Sequence, residues 1–343
     1  MRLQGLMCLS GLSTWIPQDC EKVQDAIARG AVEEDTAEDL GYEQLPVASI
    51  AAPEMAVLAA RRALLDTVPV LPAPGLLLHA WMHYQGHDLW SPAHYIADRL
   101  NLPDALPIGI QQICNGGAAS IEMAVARLMA DPELAGVLVT TADRFAPPGF
   151  DRWRSDYGIA YGDGATALVV HRPDAPLPGQ MRLHAVATVA APGLERMHRG
   201  KDPFSAAPRS ISPRIDMRRT KKAFLEAEGF DAFARASRES LLRVMRRCLA
   251  DANLTPQDSR LKFVVMPRLG RKTIETAYVP AVAEVTAAEI VLAGRDTGHL
   301  GAGDASASLA DLCEDRRFET GDHAMVISAG AGFTWSCLLV SRS

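Results

Sequence analysis

Cys114 stands in the run Ile113-Cys114-Asn115-Gly116-Gly117-Ala118-Ala119-Ser120, where an apolar stretch gives way to a glycine-rich turn and then a helix. A thiol at that junction faces backbone N–H groups without helical partners and the positive end of the helix dipole, and both stabilise a thiolate. The small residues that follow let a substrate come close to the sulfur. Together these features single out Cys114 as a nucleophile. Cys8, Cys20, Cys248, Cys313 and Cys337 lie far apart with no C-x-x-C pair. They read as packing residues rather than as a disulfide framework or a zinc cage.

A thiol nucleophile needs a base, and the base needs a group that orients it. Among the histidines, His299 has the most suggestive setting, Thr297-Gly298-His299-Leu300-Gly301-Ala302-Gly303-Asp304. This glycine-rich turn holds the place in the second half of the chain that the Cys114 turn holds in the first. If the halves pack about a pseudo-twofold, the two turns meet and bring His299 to Cys114. Asp304, at a helix start, can reach back to an imidazole N–H and fix its tautomer. It can cap that helix as well. Gly330-Ala331-Gly332 bends before an apolar strand, so the N–H groups of Ala331 and Cys114 offer an oxyanion hole. His79, His83 and His87 share a spacing of four, but their neighbours read as strand and loop, which sets aside a metal site.

The elements that must hold these residues alternate strand and helix. Strands are expected at Arg2–Leu12, Gly75–Ala80, Ile108–Cys114, Gly136–Thr141 and Ala165–His171. Helices are expected at Glu54–Leu65, at Pro92–Leu100 and from the Cys114 turn to Met129. The second half repeats this grammar, with Leu241, Leu242, Met245, Cys248 and Leu249 on one helix face. Strands Lys262–Met266 and Ile290–Ala293, a helix from Ser306 to Cys313, and strands Ala324–Ser328 and Thr334–Val340 complete it. Tyr161-Gly162-Asp163-Gly164-Ala165 and Ala329-Gly330-Ala331-Gly332-Phe333 are each a G-x-G turn running into an apolar strand. The economical reading is an α/β duplication, with the nucleophile in residues 1–172 and the His and Asp in 173–343. Lys201–Lys222, rich in Pro, Ser and Arg without a clear period, reads as a long loop.

Composition narrows the classes. A chain of 343 residues, 48% hydrophobic and 22% charged, suits an ordinary globular protein. It holds no apolar run of membrane-spanning length and no signal-peptide pattern at Met1–Leu6, so a cytoplasmic protein is expected. A net charge of −6 argues against nucleic acid as the main partner.

Gln111–Ser120, Gly158–Val170, Leu249–Gly270 and Gly330–Val340 resemble, in collinear order, the thiolase superfamily and in particular its β-ketoacyl-acyl carrier protein synthase III branch. The resemblance implies a thiolase-like fold of two related halves in five αβαβα layers and, usually, a homodimer. Members that condense carbon chains combine the Cys with a His in a P-H-Q-A-N-like motif and an Asn in a G-N-T-S-like motif. Those two residues bind the malonyl thioester and support decarboxylation. Here Val265-Met266-Pro267-Arg268-Leu269-Gly270-Arg271 stands where the first motif belongs, with Arg268 at the His position. His299 stands where the Asn belongs. The chain therefore resembles the divergent synthase III-like acyltransferases of polyketide and other antibiotic pathways, which move acyl groups without forming a C–C bond.

The implied route is ping-pong. Cys114 takes an acyl group from an acyl carrier protein or coenzyme A thioester. His299, held by Asp304, then activates an acceptor hydroxyl, amine or carrier thiol. No cofactor is implied beyond the acyl-phosphopantetheine thioester that serves as substrate. The segment Glu38–Glu43 lacks the basic R-T-G-I-like stretch that family members use near the coenzyme A adenine, which favours an acidic carrier protein as donor. Arg152, Arg154, Arg209, Arg214, Arg218 and Arg219 are candidates to meet it, and Arg268 is a candidate substrate contact. Two rival readings are a starter-unit synthase that condenses with His299 alone and a silent partner subunit of a ketosynthase. The retained Cys, His and Asp speak against the second.

Overall fold

The structure is a computed structural model that describes residues 2–67, 70–173, 177 and 179–343. The strands of the first half are β1 (Arg2–Trp15), β2 (Cys20–Lys22), β3 (Gln44–Pro46), β4 (Leu76–Ala80), β5 (Leu106–Ile110), β6 (Gly136–Asp143) and β7 (Gly164–His171). Those of the second are β8 (Met181–Ala190), β9 (Leu261–Val265), β10 (Glu289–Val291), β11 (His323–Gly330) and β12 (Thr334–Arg342). The helices that position the site are α1 (Ala52–Thr67), α2 (Pro92–Arg99), α3 (Gly116–Ala130), α4 (Met217–Glu228), α5 (Phe230–Asp251), α6 (Val279–Ala283) and α7 (Asp304–Glu314).

The main sheet runs β10-β9-β11-β12-β8-β1-β7-β6-β4-β5, and β2 pairs with β3 apart from it. From its centre outward, the order is β1-β7-β6-β4-β5 in one direction and β8-β12-β11-β9-β10 in the other. The pairing sense matches step for step. The first two junctions are antiparallel and the last two parallel in each direction. The antiparallel β1–β8 pair joins the two series.

Alternation along the strands builds the layers. Leu77 and Leu138 point to one face, where α1 and α2 cover them, while Leu76, Leu78, Val137 and Val139 point to the other. In the second series Val264, Met325 and Ile327 face α5 and α6, while Phe263, Val265, Ala324 and Val326 face inward. The inward faces of both series enclose α3 and α7 in one shared core. The result is αβαβα, with buried strands that are nearly continuous in apolar residues.

Two expectations need correction. The stretch Lys201–Lys222 is not all loop, because α4 begins at Met217, with the Asp216 carboxylate accepting the Arg219 N–H at 3.1 Å. The expected strand through Cys114 stops at Ile110, and a single 3₁₀ turn, Ile113–Asn115, carries the thiol. Strand β8 was not anticipated at all. Its alternation is present in Met181, Leu183, Ala185, Ala187 and Val189, but short Ala and Thr side chains weaken the pattern.

Candidate active site

The turn before α3 determines where the Cys114 thiol goes. Ile113 has φ +49°, a left-handed conformation that β-branched residues rarely adopt. The chain reverses there and delivers Cys114 to the helix start. Its side chain is buried and borders a cavity of about 690 Å³. Met82 Sδ lies 3.8 Å from the sulfur.

Glycines let the two halves close on this turn. A Cβ on Gly117 would fall 2.7 Å from the Ala302 carbonyl oxygen, and one on Gly330 would fall 2.7 Å from the Asn115 nitrogen. Real side chains do not tolerate such contacts, so only Gly permits this approach. The start of α3 thus meets the His299–Asp304 turn on one side and the end of β11 on the other.

His299 is held at backbone and side chain alike. Its N–H donates to the Ala160 carbonyl at 2.9 Å, and its carbonyl accepts from the Gly162 N–H at 3.0 Å. In the ring, Nδ1–H donates to Asp304 Oδ2. Asp304, the first residue of α7, also accepts from the Leu300 N–H at 2.8 Å and the Arg268 N–H at 3.2 Å. His299 Nε2 is buried and has no hydrogen-bond partner among the described residues. Burial disfavours the imidazolium, but the charges of Asp304 and Cys114 outweigh it and hold the His299 pKa well above its usual value. The arrangement is therefore a buried thiol, an imidazole coupled to it, and a carboxylate that hydrogen-bonds the imidazole.

Asp143, at the end of β6, is a further site residue that sequence reasoning missed. Its carboxylate accepts from the Met82 N–H at 2.9 Å, the His83 N–H at 2.8 Å and the Ala302 N–H at 2.9 Å. It ties the Met82 loop, which touches Cys114, to the turn that carries His299. Burial pushes its carboxyl up to about 7 against the pull of those three amides. An acidic residue closing the apolar run Gly136–Ala142 was the available sign.

The remaining predicted residues divide. Ala331 borders the cavity together with Gly330 and Cys114. Arg154, Arg214, Arg218 and Arg219 line a second, shallower pocket of about 420 Å³ with Lys222 and Tyr157. Tyr157 also borders the Cys114 cavity, so the basic rim adjoins the site. Arg209 is exposed.

Arg152 and Arg268 must be corrected. The buried Arg152 guanidinium donates to the Pro46 and Tyr161 carbonyls at 3.0 and 3.2 Å and to both Asp163 oxygens at 3.3 Å. Both terminal nitrogens thus face acceptors inside the protein rather than a carrier. The Arg268 guanidinium is likewise buried, donating to Thr297 Oγ1 at 2.9 Å and pairing with Asp311. His79 bonds Thr140 Oγ1 at 3.0 Å and Gln85 Oε1 at 3.3 Å. Among the described residues, no group of three or more His, Cys, Asp or Glu is placed to hold a metal ion, and no two cysteines form a disulfide. Among them, too, no helix is long and apolar enough to cross a membrane.

Comparison with known proteins follows the same lines. The family model for 3-oxoacyl-[acyl-carrier-protein] synthase III matches residues 108–186, and the model for its C-terminal part matches 249–342. No curated protein matches the chain. Among solved structures, ChlB3, described as an acyltransferase, is 30% identical, with a TM-score of 0.85 over 98% of this chain and 97% of that one. The 3-oxoacyl-[acyl-carrier-protein] synthase III of Aquifex aeolicus is 20% identical, with a TM-score of 0.77 over 98% and 100% of the two chains. Cerulenin-bound OleA of Xanthomonas campestris is 15% identical, with a TM-score of 0.74 over 99% of each chain, and it shares the fold. With its motifs, its layers and its buried Cys turn in agreement, the chain belongs to the 3-oxoacyl-[acyl-carrier-protein] synthase III family of thiolase-like enzymes.

Proposed function

We propose that this enzyme is an acyltransferase that works through an acyl-enzyme on Cys114 and forms no C–C bond. One observation carries the reading. The imidazole coupled to the thiol is His299, while Arg268, at the position of the condensing members' His, turns its two terminal guanidinium nitrogens to Thr297 and Asp311. A malonyl thioester that loses CO₂ leaves an enolate, whose oxygen needs donors already in place. At the position of the condensing members' His, Arg268 offers no imidazole donor. The likeness to ChlB3 supports transfer over condensation.

The proposed steps use this arrangement. The Cys114 thiolate attacks the thioester carbonyl of an acyl carrier protein or coenzyme A donor. The oxyanion takes hydrogen bonds from the N–H groups of Cys114 and Ala331, and the carrier thiol leaves with the proton of the His299 imidazolium. Acylation removes the negative charge on sulfur, and with it one cause of the raised His299 pKa. The neutral imidazole then takes a proton from an acceptor hydroxyl, amine or carrier thiol, which attacks the acyl group. General-base help of this kind contributes about 10²–10⁴-fold.

The basic rim of Arg154, Arg214, Arg218, Arg219 and Lys222 suits an acidic carrier or the phosphate of a phosphopantetheine arm. A place in polyketide or antibiotic biosynthesis and a homodimer accord with the family resemblance. Intact-mass analysis after incubation with acyl thioesters tests the reading. An acyl adduct on the wild type that is absent from Cys114→Ala supports it, and an adduct that persists in Cys114→Ala contradicts it.

A further inference from the structure

Asn115, Ser336, Thr188 and Glu122 have no part in the steps above, yet they form one hydrogen-bonded chain behind the Cys114 turn. Asn115, the residue after the nucleophile, donates from Nδ2 to Ser336 Oγ on β12 at 2.9 Å. Ser336 Oγ lies 2.8 Å from Thr188 Oγ1 on β8, which in turn lies 2.6 Å from Glu122 Oε2 on α3. Glu122 stands about two helical turns along from Asn115. The chain therefore leaves the start of α3, crosses two strands of the second half and returns to the same helix.

Its donors run in one direction. A carboxylate only accepts, so Thr188 gives its O–H to Glu122 and Ser336 gives its O–H to Thr188. The Ser336 oxygen is then free to accept from the Asn115 amide. Ser336 and Thr188 occupy inward positions of their strands, in line with Leu338, Val340 and Val186 of the shared apolar core. Asn115 and Ser336 are fully buried. Polar groups placed there cost stability unless they are paired, and once paired they specify a single geometry.

That geometry bears on the oxyanion. Ser336 pairs with Ser328 in the β11–β12 hairpin, and the same hairpin carries Ala331 beyond Gly330. The Asn115–Ser336 bond thus ties the peptide next to Cys114 to the hairpin that presents Ala331. Gly330 acts from the opposite side, since a Cβ there would lie 2.7 Å from the Asn115 nitrogen and 2.8 Å from its Cβ. The steric contact stops the halves from closing further, and the hydrogen bond keeps them from parting. We propose that Asn115, Ser336, Thr188 and Glu122 are positioning residues that set the spacing of the two oxyanion donors, the N–H groups of Cys114 and Ala331. This inference rests on the acyl-enzyme reading and adds the residues that hold its oxyanion hole. Small displacements of such donors are costly to rate.

Two reactions of Cys114, both followed by intact mass, test this. Single-turnover acylation by acetyl, hexanoyl or benzoyl N-acetylcysteamine thioesters passes through an oxyanion, whereas alkylation by iodoacetamide does not. Thr188 does not border the cavity, so its variants leave the lining intact. Thr188→Val keeps the branched shape and removes the hydroxyl, while Thr188→Ser keeps the hydroxyl. Acylation is expected to fall about tenfold in Thr188→Val, the effect of one buried hydrogen bond, and to recover in Thr188→Ser. Alkylation is expected to keep its wild-type rate in both. Glu122→Leu cuts the chain at its other end and should give the same split, which keeps the test decisive if Thr188→Val does not fold. Unchanged acylation, a loss that Thr188→Ser does not restore, or an equal loss of alkylation overturns the proposal and leaves the acyl-enzyme standing. Failure of every thioester to label wild-type Cys114 overturns the acyl-enzyme reading, and this inference with it.

Discussion

The charge on His299 depends on that of Cys114, and the proposed reaction uses that dependence. While the sulfur is a thiolate, His299 is held protonated, ready to give its proton to the departing carrier thiol. Once the sulfur is acylated, its contribution is lost and Asp304 is left as the main group raising the imidazole pKa against burial. The sign follows directly. Discharge of the acyl-enzyme needs neutral His299, so its rate rises with pH to a plateau, with a midpoint below the His299 pKa of the free enzyme. NMR titration of His299 in wild type and in Cys114→Ala measures the same effect, and the variant is expected to titrate at lower pH. Asp304→Asn loses the carboxylate that fixes the tautomer and is expected to slow transfer by about 10²–10⁴-fold in single-turnover assays. These three residues were legible in the sequence because each sits in its own glycine-marked turn or helix start, a local pattern. Asp143 was not, because the amides that give it meaning come from distant loops. Arg152 and Arg268 were misread for a related reason. A basic side chain looks exposed until its buried acceptors, here Asp163 and the Pro46 carbonyl or Thr297 and Asp311, are known.

At the scale of elements, Asp143 links the end of β6 to the Met82 loop and to the turn before α7. Asp143→Ala would leave three amides without an acceptor in a dry setting, a cost of about 3 kcal/mol in denaturant unfolding. Its pH signature has a definite direction. A carboxyl raised from 3.8 to about 7 binds more protons folded than unfolded across that window. The stability it contributes is therefore complete below the lower value and is lost as pH rises through the upper one. The fall in Tm between pH 5 and pH 8 is expected to be shallower in Asp143→Asn than in wild type. The basic rim belongs to this scale too, since it joins the Gly30–Thr36 segment to the start of α4. Charge reversal at Arg214 and Lys222 should raise KM for an acidic carrier and leave kcat nearly unchanged, with an effect that shrinks as salt is added. The main strands and helices were legible from apolar period, whereas β8 and the start of α4 were obscured by small residues and by a run of arginines.

Across the whole molecule, function depends on two matched series of strands closing on one cavity. Neither half holds all of the proposed site, because Cys114 comes from the first and His299, Asp304 and Ala331 come from the second. Gly117 and Gly330 set how closely the halves approach. A methyl group on Gly330 forces the β11 end away from Asn115, and Gly330→Ala is expected to cut the acylation rate about 100-fold, since small displacements of reacting groups are that costly. The shared core around α3 and α7 keeps this closure rigid. The repeated G-x-G turns had pointed to such a meeting of halves, although the sequence carries no record of which side chains face the cavity between them. The most direct measurement offers a malonyl-carrier thioester, labelled in its free carboxyl, together with an acyl donor and a nucleophilic acceptor. Non-condensing transfer predicts an acyl adduct on Cys114, acylated acceptor and full retention of the label. Labelled CO₂ accompanied by a 3-oxoacyl thioester would contradict it.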